Sequence, residues 1–221
     1  MGKLLVINAH AAVDSPSSVS LEVGNRFIEN YRKLNSNDSI ERIDLYREEI
    51  PEVNSTVLSA WGKFASGEAL TDEETRVTGR MNEILQQFKS AKKYVIIMPL
   101  HNFNIPSRLK DYMDNIMIAR ETFKYTENGG VGLLTDGRSL LVIQGSGGIY
   151  TNNDWYTENE FSHKYLKSMF HFLGVEDYQI IRAQGTNLLD KKDVLNKAKK
   201  EAEEAAARLA NKVDQGSEIS R

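Results

Sequence analysis

Three runs in this chain are apolar without interruption: Leu4-Leu5-Val6-Ile7, Tyr94-Val95-Ile96-Ile97-Met98 and Leu140-Leu141-Val142-Ile143. A strand with one wet face alternates polar and apolar residues. A continuous, largely β-branched run of strand length fits a strand covered on both faces, as in a parallel sheet between two helical layers. Two weaker segments alternate instead: 39–46, with Ile40, Ile43 and Leu45, and 177–183, with Tyr178, Ile180 and Ile181. These are expected nearer the sheet edges.

Helical patterns lie between the strands. Val23, Phe27, Tyr31 and Leu34 repeat at helical spacing, as do Leu109, Tyr112, Met113 and Ile116, and again Phe161, Tyr165, Leu166, Met169 and Phe172. Thr71 three residues before Glu74 is a capping box that opens a helix bearing Val77, Met81, Ile84, Leu85 and Phe88. A last helix from about Lys191 to Val213, rich in Ala, Lys and Glu, is expected to be largely exposed. Strands alternating with helices predict a doubly wound α/β domain, and five parallel strands fit the order 2-1-3-4-5 with helices on both faces. Residues 1–213 read as a single domain and 214–221 as a C-terminal tail. Two insertions interrupt the alternation: 48–70, which carries Trp61 and Phe64, and 121–138, whose ENGG and TDG turns read as a hairpin-like excursion.

The chain has no cysteine, which excludes disulfides, thiolate metal sites and thiol nucleophiles. Its formal net charge of -3 argues against nucleic-acid binding by phosphate neutralisation. The first apolar run is too short to span a bilayer, so no membrane partner is expected and a cytoplasmic protein is. The histidines have no metal-ligand spacing, and no metal is expected.

In an open α/β sheet, ligands bind where loops leave the carboxyl ends of the strands. Three such loops carry unusual chemistry. After the first strand comes His10-Ala11-Ala12-Val13-Asp14-Ser15-Pro16-Ser17-Ser18-Val19-Ser20, with neither GxGxxG nor a Walker motif. This hydroxyl-rich entry to a helix N-terminus suits a terminal phosphomonoester; equally, Ser17 or Ser18 serves only as a cap. After the third comes Pro99-Leu100-His101-Asn102-Phe103-Asn104-Ile105-Pro106. It is either a stiff turn or a wall for a planar heterocycle with polar edges. After the fourth comes Gln144-Gly145-Ser146-Gly147-Gly148-Ile149-Tyr150, a flexible turn or a backbone cradle that presents N–H donors. One loop for a phosphate, one for a ring edge and one for a pyrimidine is the division that bound FMN requires.

The segments SPSSVS, PLHNFNIPSRLKDYMDNI, TFKYTENGGVGLL, VIQGSGGIY and FHFLGV span most of the chain. In them the chain resembles the FMN-dependent NADH-azoreductases of the flavodoxin-like quinone-reductase superfamily. The resemblance implies a flavodoxin-like fold and tightly held, non-covalent FMN. It places FMN on Ser18 and Ser20, on Pro99, Leu100, His101, Asn102 and Phe103, and on Gly145, Ser146, Gly147 and Gly148. Phe103, Tyr125 and Phe172 match aromatic positions of the substrate pocket. It also implies a homodimer with active sites at the interface, where Trp61 and Phe64 are expected to reach the partner's flavin. The implied activity is two-electron reduction of quinones by NADH and reductive cleavage of azo compounds to amines, with ping-pong kinetics. His101 is a candidate proton donor, because histidine is the residue type that exchanges protons near neutral pH; its other reading is a steric or hydrogen-bonding neighbour of the ring. His101 stands where many members carry tyrosine, Ser146 where some carry arginine and Val19 where some carry glutamine. The choice between NADH and NADPH stays open at these positions. A flavodoxin-like electron carrier, and an NADPH-dependent flavin or quinone reductase without azo cleavage, are the alternatives.

Overall fold

The computed structural model describes residues 2–212; the expected tail at 214–221 lies outside the described residues. In chain order the elements are β1 Lys3–Asn8, α1 Val19–Leu34, β2 Ser39–Asp44, α2 Ser55–Ser66, α3 Asp72–Ser90, β3 Lys93–Pro99, α4 Ser107–Ile116, β4 Phe123–Thr126, β5 Gly129–Gly132, β6 Ser139–Gly145, α5 Trp155–Glu158, α6 Phe161–Leu173, β7 Asp177–Ala183 and α7 Lys191–Asn211. Five strands form one parallel sheet in the order β2-β1-β3-β6-β7. This is the expected 2-1-3-4-5 once the β4–β5 hairpin is left out of the count. That hairpin is the excursion announced by ENGG, and it pairs Phe123 with Gly132 and Thr126 with Gly129.

The uninterrupted runs divide their side chains between two cores. Leu5, Ile7, Tyr94, Ile96, Met98, Leu140 and Val142 pack on the α3–α4–α6 side with Ile84, Phe88, Leu109, Met113, Leu166 and Phe170. Leu4, Val6, Val95, Ile97, Leu141 and Ile143 pack on the other side with Val23 and Phe27 of α1 and Ala198, Ala202 and Leu209 of α7. Strand residues point alternately up and down, so a strand buried twice must be apolar at every position. β2 and β7 are the edge strands, as expected, and are less buried than the inner three, but their burial does not alternate strictly residue by residue.

The expected exposure of the last helix is wrong. Val194, Ala198, Ala202, Ala205, Ala206 and Leu209 of α7 are buried. The alanines are small enough to let α7 lie close against the sheet and α1. Arg26–Glu203 and Lys199–Glu22 ion pairs join the outer rims of the two helices at 2.6 and 2.5 Å. Two helical stripes also need correction. Leu34 is exposed, so the α1 stripe ends at Tyr31. On α6 the fully buried apolar residues are Leu166, Phe170 and Leu173; Phe161 is exposed, and Tyr165, Met169 and Phe172 flank the core. The Thr71–Glu74 capping box forms as read. No helix among the described residues is long and apolar enough to cross a membrane.

Candidate active site

Register decides where the site falls. Pro99 pairs with Gly145, which pairs with Ala183 on β7, and Asn8 pairs with Ile97. Four strands therefore end close together, and short backbone bonds join the loops that leave them. Leu100 N–H donates to Gly145 O at 2.8 Å, Ser146 N–H to Ala183 O at 3.0 Å, and Asn187 N–H to Gly147 O at 3.1 Å.

The loops enclose a cleft of about 460 Å³ that takes in Ser18 and Ser20 from the first loop, Pro99, Leu100 and His101 from the second, and Gly145, Ser146 and Gly147 from the third. Ser18 does cap α1, through its Oγ and the Leu21 N–H, while its hydroxyl also lies 3.2 Å from that of Ser20. Capping thus does not take the segment out of the cleft. Asp14 is held outside this cleft by an ion pair with Arg47.

Asn102, Phe103 and Gly148 do not line the cleft itself. Asn102 and Phe103 are the central residues of a tight turn closed by hydrogen bonds between His101 and Asn104 in both directions. Their φ angles of 46° and 65° lie in the left-handed region, which costs a non-glycine residue about 1–2 kcal/mol. Strain of this kind, kept in a strand-end loop, marks a turn shaped for its neighbours rather than for its own stability. Phe103 packs edge-on against Tyr150 and Trp155, with ring centroids 6.1 and 5.6 Å away. Gly148 lines a second cleft of about 430 Å³ that shares Gly147 and Asn187 with the first. Tyr125 and Phe172 meet on a separate aromatic surface through Phe123, at 5.4 and 5.2 Å, and Tyr125 is 77% exposed. Within one chain, then, the expected pocket aromatics are not brought together. Trp61 and Phe64 are also exposed and line an apolar groove between α2 and α3.

Sequence reasoning missed a fourth wall. Thr186, Asn187 and Lys191 line the same cleft, together with His10 and Ser17 of the first loop. The signal was available, because 184–191 follows the carboxyl end of β7 as the other loops follow theirs. His10 Nδ1 lies 3.0 Å from the Ala12 carbonyl oxygen, to which a protonated ring donates. Burial holds the His10 imidazole below its ordinary pKa; the Ala12 bond opposes that shift and the nearby His101 adds to it.

Behind the cleft lies a buried carboxylate. Glu160 accepts from Gln144 Nε2 at 3.3 Å, from the His163 N–H at 3.0 Å and from the Ser162 hydroxyl, and Arg182 stands 3.5 Å away. Burial raises its pKa, but these partners outweigh burial and hold the group below the usual carboxylate range. Gln144 precedes the glycine loop. Phe161, next to Glu160, donates its N–H to Phe103 O at 2.8 Å. One short segment thus anchors both ligand-facing loops.

The fit to a phosphorylated flavin rests on this donor set. Hydroxyls, a helix N-terminus and a lysine lie at one end, and no carboxylate lines the cleft among the described residues. Gly147 is packed so closely that an added Cβ would stand 2.4 Å from Asn187 Nδ2. A parallel sheet with this order and a strand-end cleft of this chemistry define a flavodoxin-like protein. The family described by its flavodoxin-like fold matches residues 2–209, and the chain belongs to it.

More particular likenesses follow. The chain is 67% identical over 213 residues to FMN-dependent NADH:quinone oxidoreductase 1 of Bacillus anthracis, covering 96% of this chain and 97% of that one. It superposes with a TM-score of 0.94 on the crystal structure of an FMN-dependent NADH-azoreductase from Bacillus anthracis str. Ames Ancestor in complex with FMN, at 66% identity and covering 96% of this chain and 100% of that one. An azoreductase from Bacillus anthracis str. Sterne gives a TM-score of 0.86 at 31% identity, covering 94% and 100%.

Proposed function

We infer that this chain is an FMN-dependent oxidoreductase that uses NADH to reduce quinones and to cleave azo compounds. The observation that carries the reading is the convergence of the serine, proline–histidine and glycine loops on one cleft lined by no carboxylate among the described residues, in a chain so similar to enzymes of that name. FMN, when bound, would supply the two-electron chemistry between NADH and the acceptor.

The chain's own residues bind and orient. Ser18, Ser20 and the N-terminus of α1 hold the phosphate. The backbone from Pro99 to Phe103 flanks the ring, and Gly145, Ser146, Gly147 and Gly148 let main-chain N–H groups approach its polar edge. Phe103, Tyr125 and Phe172 are the apolar walls for the acceptor. Because the last two stand on a separate surface in one chain, we place them, with Trp61 and Phe64, at the partner's cleft in a homodimer. His101, on the cleft rim, is the candidate proton donor. NADH and acceptor share one face in turn, which gives ping-pong kinetics. The chemistry fits a cytoplasmic enzyme supplied with NADH.

A visible spectrum of the purified protein before and after anaerobic NADH tests the reading. A flavin spectrum that bleaches with NADH and recovers with a quinone is expected. Flavin that bleaches with neither NADH nor NADPH refutes the enzyme reading in favour of an electron carrier, and failure to bind flavin refutes the site.

A further inference from the structure

We propose that Lys191 is the cation that holds the terminal phosphate of the flavin, and that it makes the cleft select a phosphorylated flavin over an unphosphorylated one. This rests on the FMN reading given above. Lys191 is the first residue of α7 and lines the cleft beside Ser17, Ser18 and Ser20. Its ammonium donates to the Ser17 carbonyl at 3.0 Å, so the charge is fastened to the serine loop itself.

The surroundings leave that charge uncompensated. No carboxylate pairs with Lys191 among the described residues. Three of the acids near the two helix N-termini are already engaged, and Asp193, in the first turn of α7, does not line the cleft. Asp14 pairs with Arg47, and Glu22 pairs with Lys199 at 2.5 Å. Asp190 turns its carboxylate onto the N–H groups of Lys192 and Asp193 at 2.8 and 3.2 Å. His10, the other basic group beside the serines, is held towards its neutral form by burial. What remains at this end of the cleft is one lysine, the serine hydroxyls and the partial positive charge of the α1 N-terminus, a donor set for a dianionic phosphate.

The test titrates full-length wild type, K191M and K191R with FMN and with riboflavin, following quenching of flavin fluorescence at low and high salt. Loss of one charge-assisted contact is expected to weaken FMN binding by K191M about 10-fold or more at low salt. Its salt dependence should flatten and riboflavin binding should stay unchanged. K191R should keep most of the FMN affinity, since the charge is retained. The proposal is overturned if K191M binds FMN as wild type does. It is equally overturned if K191M leaves FMN binding intact and raises only the KM for NADH, which would assign the lysine to the dinucleotide's pyrophosphate. Wild type that binds neither flavin refutes the FMN reading itself, an outcome distinct from both.

Discussion

Glu160→Ala should be among the most damaging single truncations outside the cleft. The side chain is 3% exposed and accepts hydrogen bonds from Gln144, Ser162 and the His163 N–H, with Arg182 as counter-ion. Removing one member of a buried, hydrogen-bonded charge pair costs about 3–5 kcal/mol, because its partners remain buried and unpaired. The Arg182 side chain is 20% exposed and recovers some hydration, which puts the loss near ~3 kcal/mol. At about 2–4 °C per kcal/mol for a chain of this size, the melting temperature should fall by roughly 6–12 °C. Glu160→Gln keeps an acceptor for the His163 N–H and should lose less, about 1–2 kcal/mol. Urea unfolding followed by circular dichroism measures both. Because the folded-state pKa of Glu160 is depressed, its contribution is present above the unfolded value of about 4.3 and is lost as pH falls through the folded one. The gap between wild type and Glu160→Ala should therefore close in acid. FMN affinity should fall as well, since Gln144 and Phe161 steady the two ligand-facing loops. A loss below about 1 kcal/mol, against the ~3 expected for a buried anchor, would refute this account of the network.

Other consequences are as direct. Gly132→Ala would place a Cβ 2.2 Å from the Leu173 carbonyl carbon. The β4–β5 hairpin must shift off α6, at a cost of about 1–3 kcal/mol or more, and quinone KM should rise as Tyr125 moves away from Phe172. Ala202→Leu on the buried face of α7 should destabilise by about 1–3 kcal/mol through overpacking, read as a lower denaturation midpoint at unchanged m-value. The Glu74 carboxyl is drawn down to about 2 by hydrogen bonds from Lys63, the Thr71 N–H and Ser59. Its support of the fold is present above about pH 4.3 and lost as pH falls towards the folded value. Glu74→Gln should accordingly flatten the acid limb of a stability–pH curve.

Much of this architecture was legible because burial on both faces writes an unmistakable pattern. Leu4–Ile7, Tyr94–Met98 and Leu140–Ile143 admit few other placements, and the capping box at Thr71 fixed a helix start to the residue. The Ala-rich helix was misread because the same side chains serve a solvated helix and a closely packed one. Only the neighbour decides, and periodicity does not report the neighbour. The α6 stripe went wrong for a related reason. Phe161, Tyr165 and Phe172 are large enough to look like core, yet Leu166, Phe170 and Leu173 hold the sheet. At the site, the loops after β1, β3 and β6 announced themselves through serine, proline and glycine. The loop after β7 offered Thr186, Asn187 and Lys191, ordinary surface residues whose one cue was their place after the carboxyl end of a strand.

The walls of the cleft come from opposite ends of the described chain, with residues 10–20 made early and 186–191 made late. The last of them is braced by a helix that must itself seat on α1 through residues as far along as Leu209. On a ribosome delivering about 5–20 residues per second, the early strands can fold well before that helix emerges. A cofactor arriving in that interval meets a receptor with one side open. Full retention of the flavin therefore waits on α7, and a chain truncated before it should keep most of its sheet and its serine, proline and glycine loops while binding the flavin more weakly.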